Sequence, residues 1–287
     1  MINLPKNKKD ISLHGRWGPN AILDTVYSII YFKVSMDTQD MIEYIKEGLL
    51  NLVFPLDCNI CGKPIRESKG YSICEDCFKT IELIDRPYCV KCNKPLLIST
   101  DLFRQEQSIL CVDCKKKKYS FEFARSVGRY DGVLKECIHL FKYYGEKKLA
   151  KPLGELLIDY LIKNEEFRRL IDLITPVPLH KNDLKERGFN QSVLLANIIG
   201  NYFSIPVNEE ILKKKRLTPS QVNLSKKERE KNISNAFFIN EPKEVKGKNV
   251  LVLDDVFTTG STVEECAKEL KKAGTKNIFV LTLARSV

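Results

Sequence analysis

Hydrophobic and polar positions fall into three regimes along this chain. Over 41–53, Met41, Ile42, Ile45, Leu49, Leu52 and Val53 recur on one helical face, and Pro55 stops that helix before the first cysteine. Such a stripe suits packing on the segment that follows or a peripheral position on a membrane surface. Between 58 and 114 the apolar positions thin out and cysteines take their place. From 121 onward, short apolar runs alternate with amphipathic stretches. Residues 121–128 alternate as a strand does, and 170–177, 249–254 and 277–284 predict three more strands. Periodicity predicts helices over 132–144, 152–162, 190–203 and 262–273, the last closed by Gly274. Strands alternating with helices predict an α/β domain with a mainly parallel sheet. The expected organisation is an unassigned extension at 1–40, a helix plus cysteine module at 41–119, and the α/β domain at 120–287.

Eight of the ten cysteines form four CxxC pairs: Cys58/Cys61, Cys74/Cys77, Cys89/Cys92 and Cys111/Cys114. A CxxC turn presents two thiolates on one side of a tight loop, and two such turns complete a tetrahedron around zinc. Pairing in chain order gives two four-cysteine sites, which with no open position are structural rather than catalytic. One zinc with the remaining cysteines reduced, disulfides, and an iron–sulfur cluster are the alternative readings. Little apolar sequence lies between the pairs, so bound metal is expected to supply most of the local folding free energy. Cys137 and Cys266 stand apart in helical patterns and read as small buried hydrophobes.

The chain has 287 residues, with 47 basic against 37 acidic side chains and a net charge of +10. This excess favours polyanionic or phosphate-bearing partners without identifying one. The run Lys115 to Lys118 suits nucleic acid or a solvated hinge between domains. Hydrophobic residues at 43% and charged residues at 29% exclude global disorder. No run of 18 apolar residues occurs, which argues against a spanning helix. No apolar stretch with signal-peptide character follows the basic N-terminus, so a cytoplasmic protein is expected.

The most informative stretch is Val250-Leu251-Val252-Leu253-Asp254-Asp255-Val256-Phe257-Thr258-Thr259-Gly260-Ser261-Thr262. An apolar strand ends on two aspartates, at the sheet end where open α/β sheets take ligands. A loop of hydroxyl residues and glycine then opens a helix. Backbone N–H groups, hydroxyls and the positive helix end together make a phosphate site. Adjacent carboxylates suit sugar hydroxyls or a magnesium ion. A Walker B strand or a phospho-acceptor site could also end in Asp-Asp, but no GxxxxGK[ST] occurs anywhere in the chain, and a phospho-acceptor would not need the Thr-Thr-Gly-Ser-Thr loop.

This stretch resembles the phosphoribosyl pyrophosphate (PRPP) signature of type I phosphoribosyltransferases. Other segments narrow the resemblance to the ComF family of competence-associated proteins. They are Ile138-His139-Leu140-Phe141-Lys142-Tyr143-Tyr144-Gly145, Pro176-Val177-Pro178-Leu179-His180, Arg187-Gly188-Phe189-Asn190-Gln191-Ser192, Arg216-Leu217-Thr218-Pro219-Ser220-Gln221, Glu228-Arg229-Glu230-Lys231-Asn232 and Leu281-Thr282-Leu283-Ala284-Arg285. The CxxC cluster fits as well, and the resemblance runs from about residue 45 to the end. It implies a type I phosphoribosyltransferase domain preceded by a double zinc ribbon.

It further implies that Asp254 and Asp255 meet the ribose 2′- and 3′-hydroxyls of PRPP, and that Thr258, Thr259, Gly260, Ser261 and Thr262 cradle its 5′-phosphate. Magnesium would arrive with PRPP. The loop after the Leu173-Ile174 strand, with Thr175 and Pro176, would meet the pyrophosphate, and Arg187 would supply charge. Asp254, Asp255 and Arg187 are thus the catalytic candidates. Residues 213–232 resemble a hood over the site, lined by Arg216, Gln221 and Arg229. His180 reads as a base or as an ordinary polar loop residue. A nitrogen nucleophile would displace pyrophosphate from the ribose C1, with catalysis resting on positioning and charge stabilisation. Three functions stay open: a phosphoribosyltransferase of unknown acceptor, a protein handling single-stranded DNA during uptake, and a PRPP-sensing adaptor for the uptake machinery. The last two carry DNA and DNA-uptake proteins as partners, at most peripherally at the inner face of the membrane.

Overall fold

The structure is a computed structural model, and it describes residues 57–65, 71–97, 109–216 and 233–286. The helix expected over 41–53, the extension at 1–40, Gln221 and Arg229 lie outside those residues. The described residues belong to one compact unit, Leu56–Val287.

A four-stranded, all-parallel sheet forms the centre, in the order β1-β6-β5-β2. The strands are β1 (Phe123–Arg129), β2 (Leu173–Pro176), β5 (Asn249–Phe257) and β6 (Asn277–Arg285). A separate antiparallel pair joins β3 (Leu212–Lys214) to β4 (Phe237–Ile239). Eight α-helices among the described residues complete the fold. They are α1 (Glu75–Lys79), α2 (Val112–Lys116), α3 (Gly132–Tyr143), α4 (Ala150–Lys163), α5 (Glu165–Arg169), α6 (Lys181–Arg187), α7 (Gln191–Phe203) and α8 (Ser261–Lys272). None is long and apolar enough to cross a membrane.

Successive residues of β5 point to opposite faces, as the pleat requires. Leu251 and Leu253 join a core with Leu134, Leu153 and Leu195 from α3, α4 and α7. Val250 and Val252 join a second core with Val263, Cys266 and Leu270 from α8. Both faces are covered, which is why β5 and β6 read as nearly continuous apolar runs. Cys137 and Cys266 are fully buried in these cores, as their sequence setting predicts.

The cysteine segments share both cores. Cys58, Ile65, Ile73 and Cys77 lie in the first, and Cys89, Cys92, Cys111 and Cys114 in the second. Ser72 hydroxyl donates to Glu146 at 2.6 Å, tying the first cluster to the turn after α3. The second docks on β1: Ala124 N–H donates to the Lys91 carbonyl at 2.8 Å, and Ser126 N–H to Asn93 Oδ1 at 2.7 Å. Beside them, the stretch 82–84 lies along the free edge of β1. Ile84 N–H donates to Val127 O and Arg129 N–H to Glu82 O, both at 2.9 Å. Gly128 permits this approach, since a Cβ there would lie 2.6 Å from Leu134 and 2.9 Å from the Glu82 carbonyl.

Two expected boundaries change. β5 runs on to Phe257 because its pairing with β6 continues through Val256↔Ala284 and Phe257↔Arg285. The acidic pair therefore sits within the strand, three residues before the loop. β2 is shorter than expected at its start and includes Thr175 and Pro176, which pair with Val252 and Leu253. Those two residues are buried strand, not loop.

Candidate ligand-binding site

The carboxyl end of β5 collects the polar groups that the apolar strand excludes elsewhere. Asp255 is 6% exposed, and its Oδ2 lies 2.6 Å from Lys142 Nζ. Asp254 Oδ1 accepts from Ser192 Oγ at 3.2 Å and from the Asp255 N–H at 2.9 Å. Lys142 comes from the last turn of α3, and Ser192 from the first turn of α7. Asn190 sets that turn: its Oδ1 accepts from Ser192 N–H at 2.9 Å, capping α7, while its Nδ2 donates to Val177 O at 3.0 Å.

Two carboxylates and one ammonium make an unequal cluster. Burial, with the neighbouring Asp255 charge adding, pushes the Asp254 carboxyl up to about 7, against the pull of Lys142. Burial also disfavours the Lys142 ammonium, but Asp255 and Asp254 overrule it and hold Lys142 above the ordinary lysine range. One carboxylate is thus matched by a cation, and the other is ready to trade its proton for a hydrogen-bond donor or a metal ion near neutral pH.

The loop after β5 is shaped by Gly260. Its φ is +75°, and a Cβ there would overlap the Phe257 ring. Gly260, the N-cap residue of the 12-residue helix α8, has no side chain to cap it, and the oxygen near the first helical N–H comes from Thr259 instead. Thr259 Oγ1 and Ser261 Oγ lie 2.7 Å apart, and Ser261 N–H donates to Thr259 Oγ1 at 3.4 Å. Hydroxyls, glycine and a helix N-terminus together form an anion cradle.

Other candidates are placed more loosely. Arg187 ends α6 and stacks on Tyr143, 5.1 Å from the ring centre. Thr175 Oγ1 is buried without a hydrogen-bond partner. Arg216 is exposed after β3 and donates to the Ser234 carbonyl at 3.0 Å. His180 caps α6, its Nδ1 accepting from Asn182 N–H at 3.2 Å, so that nitrogen is an acceptor in a helix cap. Sequence reasoning passed over Lys142 and Ser192 as functional groups. The signal for Lys142 was chemical: two adjacent acids on a buried strand need a cation, and Lys142 closes an apolar helix of the same domain.

The cysteines gather into two groups, Cys58/Cys61/Cys74/Cys77 and Cys89/Cys92/Cys111/Cys114, each with its sulfurs within 4.8 Å of one another. Sulfur separations are 3.8 Å for Cys58–Cys77 and Cys61–Cys74, and 3.7 Å for Cys92–Cys111. Tetrahedral zinc with ~2.3 Å bonds sets its sulfurs about 3.8 Å apart, so the donor set fits zinc. Backbone N–H groups support the sulfurs, Cys74 N–H to Cys58 Sγ at 3.3 Å and Cys111 N–H to Cys89 Sγ at 3.2 Å. Pairing follows chain order.

Fold and site together define a zinc-ribbon protein with a phosphoribosyltransferase domain: residues 49–115 match the double zinc ribbon domain family, and residues 190–286 the phosphoribosyl transferase domain family. Among curated proteins, the chain is 32% identical over 238 residues to Competence protein F of Haemophilus influenzae, covering 81% of this chain and 98% of that protein. It is 29% identical to DNA utilization protein YhgH of Salmonella typhimurium, covering 82% of this chain and all of that one. Identity to Competence protein ComFC of Streptococcus pneumoniae is 26%, covering 80% and 100%. The chain belongs to the ComF family of competence proteins.

Proposed function

We propose that this ComF-family protein binds PRPP with magnesium at the carboxyl end of β5, in the service of DNA uptake or use. The observation that carries the reading is the meeting of a cation-matched acidic pair with a glycine-shaped hydroxyl loop at one end of a parallel sheet. Asp254 and Asp255 would accept from the ribose hydroxyls, and residues 258–262 would hold the 5′-phosphate through hydroxyls and backbone N–H groups. Magnesium would supply charge neutralisation for the pyrophosphate. Lys142 pairs with Asp255 and holds it in place, and Ser192 orients Asp254. Arg187, on its Tyr143 platform, would contribute positive charge toward the leaving pyrophosphate, and the 213–232 segment with Arg216, Gln221 and Arg229 would cover the site. The names of the relatives and the net charge of +10 support the DNA role.

Calorimetric titration of the zinc-loaded chain with PRPP and magnesium tests this. Binding in the micromolar range is expected. Asp254→Asn/Asp255→Asn should weaken it by about 100-fold, the loss of two charge-assisted contacts. That variant leaves Lys142 without its partner, so Gly260→Val, which spares the ion pair and displaces the loop because its Cβ would meet the Phe257 ring at a φ of +75°, serves beside it and should weaken binding to a similar degree. No binding by the wild-type chain would sink the reading. Pyrophosphate release with a nitrogen acceptor present would mark a transferase; PRPP binding without release would mark a sensor or adaptor.

The same titration has a pH signature. An ionised Asp254 accepts from ribose hydroxyls more strongly than the neutral acid, and its proton leaves near pH 7. Affinity should therefore rise about tenfold between pH 6 and pH 8 and level off above. A flat profile across that window would show that Asp254 is not engaged by the ligand.

A further inference from the structure

Arg285, the last residue of β6, is 6% exposed although it carries a full charge. No carboxylate pairs with it among the described residues. Its Nη1 donates to the Cys92 carbonyl at 2.7 Å, its guanidinium lies 4.5 Å from the centre of the Phe257 ring, and its Nε has no hydrogen-bond partner. A buried cation is costly unless opposite charge faces it. The opposite charge on this side is the second cysteine cluster, of which Cys92 is a member. Four thiolates around a zinc dication carry a net charge of minus two. The four cysteines and Phe257 lie in one hydrophobic cluster, where little water weakens the attraction.

The other face of the contact leads to the ligand loop. Phe257 packs against Gly260 so closely that no Cβ could fit between them. Phe121 meets the Phe257 ring edge-on, 6.3 Å between centres, and Ser286 N–H holds the Phe257 carbonyl at 3.0 Å. A planar guanidinium lies flat on the ring while it donates to a carbonyl, a face-to-face stack that the compact lysine ammonium does not make.

We propose that Arg285 is the counter-charge of the second zinc–thiolate cluster and a positioning residue that joins this cluster, through Phe257, to the loop at 258–262. The link rests on the reading that this loop takes the phosphate of PRPP. Zinc held at the second cluster and ligand held at the loop then strengthen each other, and the coupling is reciprocal.

Zinc release from the full-length zinc-loaded chain to a colorimetric chelator tests both halves. Arg285→Met should speed release from one cluster by about tenfold or more, the usual cost of losing a partner just outside the metal ligands, and leave the other cluster unchanged. Magnesium–PRPP should slow release from that same cluster in the wild-type chain. Phe257→Leu keeps the Arg285–Cys92 bond and should keep the basal release rate, but lose the PRPP effect. Arg285→Lys keeps charge without the stack, so it should retain zinc better than Arg285→Met and also lose the PRPP effect; with Phe257→Leu it decides the case if Arg285→Met does not fold. Unchanged release in Arg285→Met, or the same loss in Arg285→Lys, overturns the counter-charge. A PRPP effect that persists in Phe257→Leu and Arg285→Lys overturns the link, as does calorimetric PRPP binding with no effect on wild-type zinc release. Absence of PRPP binding by calorimetry removes the functional reading and the link together, while the release rates still judge the counter-charge.

Discussion

Chelation of zinc should unfold the segment from Asp57 to Tyr119 and lower the melting temperature of the whole chain. Each four-cysteine site is worth about 10–16 kcal/mol of apparent binding free energy at neutral pH. The helices beside the cysteines are five residues each, too short to persist alone. The metal clusters are also part of the main cores: Cys58 and Cys77 belong to the same hydrophobic cluster as Ile138 and Leu153, and Cys89 and Cys114 to that of Phe121 and Val280. Loss of metal would leave apolar faces of α3 and β6 without cover. A melt followed by circular dichroism, with and without a strong chelator, checks this. An apoprotein that melts with the zinc-loaded protein would show that hydrophobic packing alone holds the cysteine segments.

Replacing Lys142 with methionine should cost about 3–5 kcal/mol at neutral pH, because it leaves the buried Asp255 charge without its partner. The loss should depend on pH, with a definite sign. Asp254 holds its proton to about pH 7 when folded, against an ordinary value of 3.8. Its contribution to stability is therefore present below about pH 4 and is lost as pH rises through about 7. Lys142 opposes that loss by favouring the ionised form, and without it the folded carboxyl climbs further. Lys142→Met should accordingly suffer less at pH 5 than at pH 8, by urea denaturation at both. Lys142→Arg, which restores the charge, should recover part of the loss. An equal loss at both pH values, or a loss below about 1 kcal/mol, would mean that the ion pair is not what holds the acidic pair in place.

Much of this was legible in the sequence because period and spacing carry it. The CxxC pairs located the two clusters, and the apolar run into Asp254-Asp255 with the hydroxyl loop behind it located the ligand end of the sheet. What escaped had no period. The helix Lys181–Arg187 buries none of its residues, so no apolar stripe announces it. β3 and β4 are three residues each and are joined by a long stretch of chain, so neither shows an alternation long enough to read. Periodicity placed Thr175 and Pro176 in a strand while the resemblance placed them in the loop after it; the strand holds, since β2 lies at a sheet edge, where a missing N–H costs little. Lys142 stands in a recognisable motif with no role marked on it, and only its approach to Asp255 makes it a counter-ion. Arg285 ended a recognisable motif, but its burial depends on a cysteine turn far away in the chain, at Cys92.

The stretch 82–84 along β1 has a consequence for handling the protein. Strand edges with free N–H and carbonyl groups recruit other strands, and natural sheets cover or charge them. Here the cover belongs to the connection between the two cysteine clusters, so its place depends on metal. In zinc-poor conditions β1, which carries Phe123, Ala124 and Val127, becomes a sticky border. Insolubility of protein made without zinc would then arise from self-association of a sheet that is otherwise intact, and metal supplied during synthesis would act as a solubility factor before it served any other purpose.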